Sequence, residues 1–574
     1  MESTSPRLVR FVALVLFLSF GYLYLNHHYD ETYADGKNLM WTLHHQVKAG
    51  KLDKGTASHY LPPLLQYLWV RGIAKTGWWK IPHSHPYVSD FLTLTMRVTA
   101  LHALIGALTL VFVFLIGFRL SERVELSVLV TCGLGFSANY WIFSTCTEDV
   151  LLTTFFGVFG LWLILPEQKD KPDGLLWRFL LTAVMGALMT LSQLTSAAFV
   201  PLLYVGWCLY SLPCWLKKEG HRTRLRWHSL LGLGLLWGCL TLGLFLLPMP
   251  HLWPELYKVF VGSIVKLATG SKVEGGIYAS NAARTFNMWI LAGPSFFFDW
   301  SPPYDDQSYG KISNFFRTGW PGVLGFVCSL VFLLGFLLSL LRIHWDLFWT
   351  RSWEQFRKLG FWWLLGIWWL GGLASVFVVK LAYDPEFWVP PMAGGFPVLL
   401  YLLCRSRSRL TWLFSGSLVL LLALSVTQSG AFMLRAPTHK RLKAAINETH
   451  NAIRLKEKTR KHDILFAVPE HWSYFLEEIT ARQRRTLTLN KTKPERWLQL
   501  RREALQGKRR VWVMKSHWNA KGQLAFPKLK QHWLRLFRHF GLARTADGSL
   551  VELRLTKGFH WILLAPRPLP DKTK

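Results

Sequence analysis

The sequence predicts a mainly α-helical protein that crosses a membrane many times and carries an α/β domain towards its C-terminal end. Composition gives the first indication, because 51% of the 574 residues are hydrophobic and only 17% are charged, which is too apolar for an ordinary soluble domain. The second is the length of the apolar segments, and the third is a change of pattern after residue 432.

About eleven apolar segments have the length of about 20 residues that a helix needs to cross a bilayer core about 30 Å thick. They are residues 8–26, 91–118, 124–143, 148–165, 176–193, 196–216, 227–248, 320–341, 360–380, 388–404 and 410–428. The first segment follows Arg7 and Arg10 but precedes no small-residue cleavage site. We therefore expect a retained helix there rather than a removed signal peptide.

Lysine and arginine alternate between the short loops, and this bias sets the orientation of a membrane protein. The basic loops hold Arg119 and Arg123, Lys169 and Lys171, KKEGHRTRLR (217–226), Arg342 to Lys358, and RSRSR (405–409). We assign these loops and the N-terminus to the cytoplasm. An odd number of spans then places the C-terminal region outside, together with the loops at residues 27–90, 144–149, 249–319 and 381–387.

Residues 433–574 follow a different pattern from the membrane module at residues 1–432. Strand-like stretches, DILFAVP (463–469), RTLTL (485–489) and RRVWVM (509–514), alternate with helical ones such as HWSYFLEEITAR and PERWLQLRREALQG, which indicates a small α/β domain. The net charge of +32 does not indicate nucleic-acid binding, because much of it is the loop-charge signal. The basic face of this domain would meet anionic lipid or saccharide, or only solvent.

Two acidic pairs lie on the predicted outer side. Asp30 and Glu31 follow the first span in NHHYDETYADG, and Glu148 and Asp149 lie at the outer end of a later span. Neighbours on a helix point in different directions, so the members of a pair would have separate roles. Each pair alone could simply cap a helix, but two pairs on one side indicate a shared site.

The sequence resembles the GT-C superfamily of membrane glycosyltransferases, and within it the branch of protein O-mannosyltransferases and lipid A aminoarabinose transferases. The resemblance covers about residues 8–400. Its motifs are Asp30 and Glu31 with Tyr33 after the first span, Pro62-Pro63-Leu64 in HYLPPLLQYL, Glu148 and Asp149 before VLLTTFF, and KLAYDPEFWVPPMAGGFPVLL at residues 380–400. It implies a helical membrane fold with an extracytoplasmic C-terminal domain, and a sugar donor linked to polyprenyl phosphate.

The chain also departs from this pattern. Related aminoarabinose transferases often have a basic residue before the double proline, where this chain has Leu61, with His59 two residues earlier. A tryptophan-rich signature of the oligosaccharyltransferase kind is not found, which argues against transfer of a preassembled glycan.

The chemistry requires an acceptor hydroxyl, a base and a lipid-phosphate leaving group. We expect Asp30 to be the base, with partial burial raising its basicity. Single displacement would invert the anomeric centre, because only one nucleophile acts. Glu31 and Glu148 or Asp149 would hold sugar hydroxyls, the acceptor or a cation, and Tyr33 and His59 would contact substrate.

The departing phosphate needs positive charge beside it. Lys380, four residues before Asp384, is the first candidate, Arg284 in SNAARTFNMWILAGP (280–294) the second, and Arg97 near the outer end of its span the third. For each of them the alternative is a basic chain that only extends to the membrane interface.

Histidine offers another interpretation of the first outer loop. His27 and His28 with the acidic pair, or HSH at residues 83–85, would be able to ligate a divalent metal, although the spacing matches no defined zinc pattern. The proposed reaction requires no cofactor, so a metal stays an alternative.

These observations favour an integral membrane glycosyltransferase with a protein, lipid or glycan acceptor and no nucleic-acid partner. The expected location is a bacterial inner membrane with the site facing the periplasm, or the endoplasmic reticulum membrane in a eukaryote. The alternatives are a transporter or flippase of envelope precursors, which would hold its carboxylates at mid-depth in broken helices, and a non-catalytic scaffold for envelope assembly.

Overall fold

The structure is a computed structural model of the chain. It describes residues 5–27, 34–51, 60–80, 86–147, 150–165, 174–219, 222–248, 253–254, 296, 320–378, 388–405, 415–427, 464–467, 485–488, 506, 511–514, 542–543, 551–556 and 559–566.

The N-terminal half of the described chain is helical. Its helices are α1 (Pro6–Asn26), α2 (Ala34–Ala49), α3 (Leu61–Ala74), α4 (Pro86–Ser121), α5 (Val124–Gly135), α6 (Ala138–Thr145), α7 (Val150–Leu163), α8 (Leu175–Ser192), α9 (Val200–Trp215) and α10 (Trp227–Leu246). A 3₁₀ turn (Leu194–Phe199) joins α8 to α9, and a short hairpin of β1 (Leu216–Glu219) and β2 (Arg222–Leu225) joins α9 to α10.

Further helices follow from residue 320. They are α11 (Trp320–Trp349), α12 (Trp353–Val378), α13 (Val389–Gly395), α14 (Leu399–Arg405) and α15 (Ser415–Thr427), with a 3₁₀ turn (Phe396–Val398) between α13 and α14. Each of the eleven predicted spans lies at least partly on one of these helices, which confirms a mainly helical, multi-pass membrane protein.

The described helices differ in length. Six are long and apolar enough to cross a membrane, and a seventh span results if α5 and α6 count as one; α7, Val389–Tyr401 and α15 are apolar but shorter. The count of eleven spans therefore stays a prediction.

The segment predicted as one span at residues 124–143 is bent by 67° between α5 and α6. Ser137 has extended backbone angles there, which interrupts the helical hydrogen-bond ladder. Its hydroxyl donates to the carbonyl oxygen of Leu134 at 2.6 Å, an oxygen that also accepts from the Ser137 backbone N–H at 3.0 Å. The break changes the direction of the chain that leads to Glu148.

Helix α7 lies in the core of the bundle, and most of its side chains are buried. Small residues allow its neighbours to come close, as is usual for helices that pack in membranes. At Gly157 a Cβ atom would lie 2.9 Å from the Trp368 ring of α12. At the C-terminal end of α7, the side chains of Arg119 and Arg178 donate to the carbonyl oxygens of Trp162 and Leu163. Carbonyl groups in the last turn of a helix have no partner within the helix, and these bonds supply one.

The chain divides into two compact units. The first comprises Met1–Leu39, His45–Trp79 and Leu94–Thr438, and the second Met40–His44, Lys80–Thr93 and His439–Lys574. The boundary between the predicted domains, at residues 432 and 433, stays a prediction.

The second unit contains strands β3 (Ile464–Ala467), β4 (Arg485–Thr488), β5 (Val511–Met514), β6 (Leu542–Ala543), β7 (Val551–Thr556) and β8 (Phe559–Pro566). The strand order is β4-β3-β5-β8-β6, and β7 also pairs with β8. Strand β3 runs parallel to β4 and β5, whereas β8 is antiparallel to its partners. The three predicted strands correspond to β3, β4 and β5, while the two predicted helical stretches lie almost entirely outside the described residues.

Candidate active site

Two of the predicted site residues, Arg97 and His27, lie in the part of the chain that the structure describes. The others lie outside it: Asp30, Glu31, Tyr33, His28, His59, Glu148, Asp149, Arg284 and Lys380. The described residues that precede and follow these positions in sequence therefore give the surroundings of the candidate site.

The segments that lead to the two acidic pairs meet at a hydrogen bond. The Trp141 indole Nε1 of α6 donates to the carbonyl oxygen of His27, 3.2 Å away, directly after the end of α1. Tyr24 supports this contact, since its ring centroid lies 5.6 Å from that of Trp141 and its hydroxyl donates to the carbonyl oxygen of Gly135 at 2.7 Å. Trp141 and Tyr24 are both buried, so apolar packing surrounds the indole hydrogen bond at this junction.

The chain that leads to the second acidic pair is itself buried. Cys146 is 2% exposed and Thr147 is fully buried. The carbonyl oxygen of Cys146 lies 2.9 Å from Nδ1 of His102, and Nε2 of His102 lies 3.2 Å from the Gln66 amide nitrogen. The expected position of the acidic pairs at the outer membrane surface stays a prediction, because both pairs lie outside the described residues.

Arg97 lies one to two turns before His102 on α4. Its Nε donates to the carbonyl oxygen of Trp78 at 3.2 Å, and its own carbonyl accepts from the Trp69 indole at 2.7 Å. These bonds join α4 to α3 and to the turn that follows α3. Arg97 thus has a structural role, and its predicted role at a phosphate stays a prediction.

Three polar residues of this region, Gln66, His102 and Trp141, were not among the predicted site residues. His102 had a usable signal, because an ionisable residue within an apolar span indicates a functional site. Gln66 lies within the HYLPPLLQYL stretch, where only the prolines and His59 had been considered. The contact of Trp141 with His27 joins residues 114 positions apart, which no local pattern indicates.

The described residues contain no group of three or more His, Cys, Asp or Glu side chains able to hold a metal. His27 is half-buried, while the other members of the proposed metal set lie outside the described chain. A divalent metal therefore stays an alternative prediction.

The fold defines a class of protein, a polytopic membrane protein that is mainly helical, as the sequence predicted. The structure is similar to ArnT from Cupriavidus metallidurans bound to undecaprenyl phosphate, with a TM-score of 0.51 and 11% identity over 97% of each chain. No family model matches the sequence, and no curated protein matches it significantly.

Two further solved structures are more distantly similar. An oligosaccharyltransferase from Archaeoglobus fulgidus, in complex with Zn and sulfate, has a TM-score of 0.42 and 10% identity over 87% of this chain and 67% of the other. ArnT from Cupriavidus metallidurans in the apo state has a TM-score of 0.38 and 12% identity over 97% of each chain.

Proposed function

We propose that this protein is an integral membrane glycosyltransferase that moves a sugar from a polyprenyl-phosphate carrier to an acceptor hydroxyl on the extracytoplasmic face, with inversion of the anomeric centre. The acceptor would be a protein, a lipid or a glycan. The observation that carries the proposal is the hydrogen bond between His27 and Trp141, within a fold like that of ArnT.

Chain connectivity supports a shared acidic site at this junction. A chain advances at most about 3.6 Å per residue, and Asp30 is three residues after His27. Glu148 directly follows Thr147, which is buried in the same bundle end as Trp141 and Cys146. The described residues nearest in sequence to the two acidic pairs are thus joined through Trp141, which supports a shared site.

The reaction assigns a role to each predicted residue. Asp30 accepts the proton of the acceptor hydroxyl as that oxygen attacks the anomeric carbon, and the bond to the carrier phosphate breaks. Glu31, Glu148 and Asp149 hold sugar or acceptor hydroxyls, while Tyr33 and His59 contact substrate. A cation among Lys380, Arg284 and Arg97 stabilises the negative charge that develops on the departing phosphate.

Burial of the catalytic carboxylate would favour the proton transfer. Carboxylates that are held near apolar side chains and away from water become more basic, which suits a general base. The lipid part of the donor would remain in the bilayer, so the protein needs no nucleotide-binding domain. The ArnT structure that resembles this chain is bound to undecaprenyl phosphate, which supports a carrier of that class.

Binding of the carrier tests the proposal directly. Purified protein in lipid nanodiscs should bind undecaprenyl phosphate more tightly than undecaprenol, which has the same chain without the phosphate. Native mass spectrometry or competition with a labelled lipid measures both. Lys380→Ala and Arg284→Ala should weaken phosphate binding by roughly 10-fold to 150-fold, because a charge-assisted contact is worth about 1.5–3 kcal/mol. Equal affinity for the two lipids in the wild-type protein would overturn the proposal.

A transporter is the second candidate, because the 67° break between α5 and α6 is the broken-helix feature that transporters use at their sites. A turnover assay in detergent distinguishes the two functions. A glycosyltransferase consumes a polyprenyl-phosphate sugar in detergent, where no compartments exist, whereas a transporter leaves the donor chemically unchanged.

A further inference from the structure

A buried polar connection links α3 and α4 to the segment after α6, shortly before the second acidic pair in sequence. His102 is fully buried on α4, ten residues or about 15 Å along the helix from the start of its membrane span at Leu92. Gln66 of α3 is 1% exposed. Polar groups at this depth are costly unless they are hydrogen-bonded, and they usually mark a functional position.

The two bonds fix the tautomer of His102. A carbonyl oxygen can only accept, so the contact of 2.9 Å to Cys146 requires a hydrogen on Nδ1. In the neutral ring Nε2 is then an acceptor, and it receives a hydrogen from the Gln66 amide at 3.2 Å. Gln66 thus orients the ring, and the ring holds the peptide bond between Cys146 and Thr147.

This peptide bond lies between the end of α6 and the second acidic pair. Helix α6 ends at Thr145, so the carbonyl of Cys146 is outside the helical ladder, and Glu148 is two residues further along. The Gln66 Oε1 and Thr147 Oγ1 atoms are buried and find no hydrogen-bond partner within the described chain. The bond from His102 is a buried polar contact between α4 and the segment that precedes the acidic pair in sequence.

We propose that His102, oriented by Gln66, is a positioning residue that fixes Glu148 and Asp149 for catalysis. This inference rests on the proposed glycosyltransferase function. His102 itself transfers no proton and contacts no substrate. Its contribution is the position of the acidic pair, and a misplacement of about 1 Å at a reacting centre costs about 100-fold in rate.

The test compares three variants of full-length protein. His102→Leu removes both bonds, while His102→Asn retains an N–H donor at the position of Nδ1. Tyr140→Phe is the matched control, because the Tyr140 hydroxyl joins α6 to α4 through the carbonyl oxygen of Gly106 at 2.8 Å. That bond involves neither His102 nor Cys146, so its loss should weaken the helix contact without moving the acidic pair.

Two measurements are made on each variant. Hydrogen–deuterium exchange reports how firmly residues 145–152 are held, and release of undecaprenyl phosphate from undecaprenyl-phosphate sugars reports turnover. In His102→Leu we expect exchange of this segment to rise roughly tenfold, and kcat to fall about tenfold to 100-fold with an unchanged KM for the donor. His102→Asn should stay within about threefold of wild type in both measurements, and Tyr140→Phe should keep wild-type kcat.

The outcomes separate this inference from the proposed function. If His102→Leu keeps wild-type kcat, or if Tyr140→Phe lowers kcat equally, the positioning role is wrong while the glycosyltransferase function stands. If His102→Asn is as impaired as His102→Leu, the bond to Cys146 is not what matters and the inference is also wrong. If wild-type protein releases no undecaprenyl phosphate from any donor sugar, the proposed function fails, and the catalytic role of His102 fails with it.

Discussion

Trp141 donates its indole hydrogen to the carbonyl oxygen of His27, which lies 114 residues earlier in the chain. A neutral hydrogen bond of this kind contributes about 0.5–1.5 kcal/mol to stability. Its value for function is positional, because it joins the segments before Asp30 and Glu148. The same buried cluster contains a second hydrogen bond, from the Tyr24 hydroxyl to the carbonyl oxygen of Gly135, which provides a comparison within the same contact.

Removing each of these two hydrogen bonds should affect stability similarly but turnover differently. Trp141→Phe and Tyr24→Phe each keep an aromatic ring and remove one buried hydrogen bond, so each should lower the free energy of unfolding by about 1–3 kcal/mol. Only Trp141→Phe should lower turnover strongly, since only that bond lies between the two acidic segments. Thermal unfolding and donor-dependent release of lipid phosphate measure the two effects. Equal turnover in the two variants would contradict the proposed junction.

For single residues, the sequence indicated which side chains are charged but not which residues they contact. Arg97 was recognised because it is basic near a predicted outer surface, yet its bond to the carbonyl of Trp78 depends on a turn that sequence does not specify. His102 and Gln66 make a bond across 36 positions. Such long-range pairs result from helix packing, and one sequence without the fold cannot indicate them.

Helices α5 and α6 show what is predictable at the scale of elements. The apolar pattern of residues 124–143 predicted one span, and helix does occupy most of it, but the chain bends by 67° at Ser137. Serine is compatible with both a continuous helix and a break. Packing decides between them, as the close approach of Phe20 to Gly135 indicates, where a Cβ atom would lie 2.5 Å from the ring.

Helix α7 gives a prediction about packing. Gly157→Ala would place a Cβ atom 2.9 Å from the buried Trp368 ring and 3.2 Å from Met189, and overpacking of this kind costs about 1–3 kcal/mol. Gly232→Ala in α10 is the control, because no atom lies within 4 Å of its added Cβ. Denaturation in detergent should show a lower midpoint for Gly157→Ala and an unchanged or higher one for Gly232→Ala. A stable Gly157→Ala protein would mean that α7 does not pack against α12 as described.

Two contacts in the described part of the chain bear on the predicted sides of the loops. Nζ of Lys358 lies 3.1 Å from a carboxylate oxygen of Glu122, which joins two loops that were both assigned to the cytoplasm. The His27–Trp141 junction joins the start of an outer loop at residues 27–90 to the outer end of the predicted span at residues 124–143. These contacts are consistent with the alternation of sides, while the identity of the inner and outer faces stays a prediction.

Cysteine labelling tests the orientation. In a background with the exposed Cys214 and Cys239 replaced by serine, Asp35→Cys and Ala520→Cys should react with a membrane-impermeant maleimide in intact cells. Gly220→Cys, in the basic loop between α9 and α10, should react only after the membrane is opened. Labelling of Gly220→Cys alone in intact cells would reverse the orientation and place the site model on the wrong side.

The sequence predicted only part of the C-terminal sheet. Three strands were predicted from local alternation, and they are the neighbours β4, β3 and β5 of one parallel arrangement. The β7–β8 hairpin was not predicted. Its strands, VELRLT and FHWILLAP, follow basic and glycine-containing stretches that resemble loops, and their order in the sheet depends on pairings distant in sequence.

Turnover by the Asp30→Asn variant is the most direct test of the proposed glycosyltransferase function with Asp30 as its base. Purified wild-type protein should release undecaprenyl phosphate from at least one member of a panel of undecaprenyl-phosphate hexoses and pentoses. Asp30→Asn keeps the size and hydrogen bonding of the side chain but cannot accept a proton, so turnover should fall by about 10² to 10⁴ while expression and binding of undecaprenyl phosphate stay at the wild-type level. If Asp30→Asn turns over normally while Asp149→Asn is inactive, the two acidic pairs have the opposite roles; if both variants stay fully active, the glycosyltransferase assignment itself is contradicted.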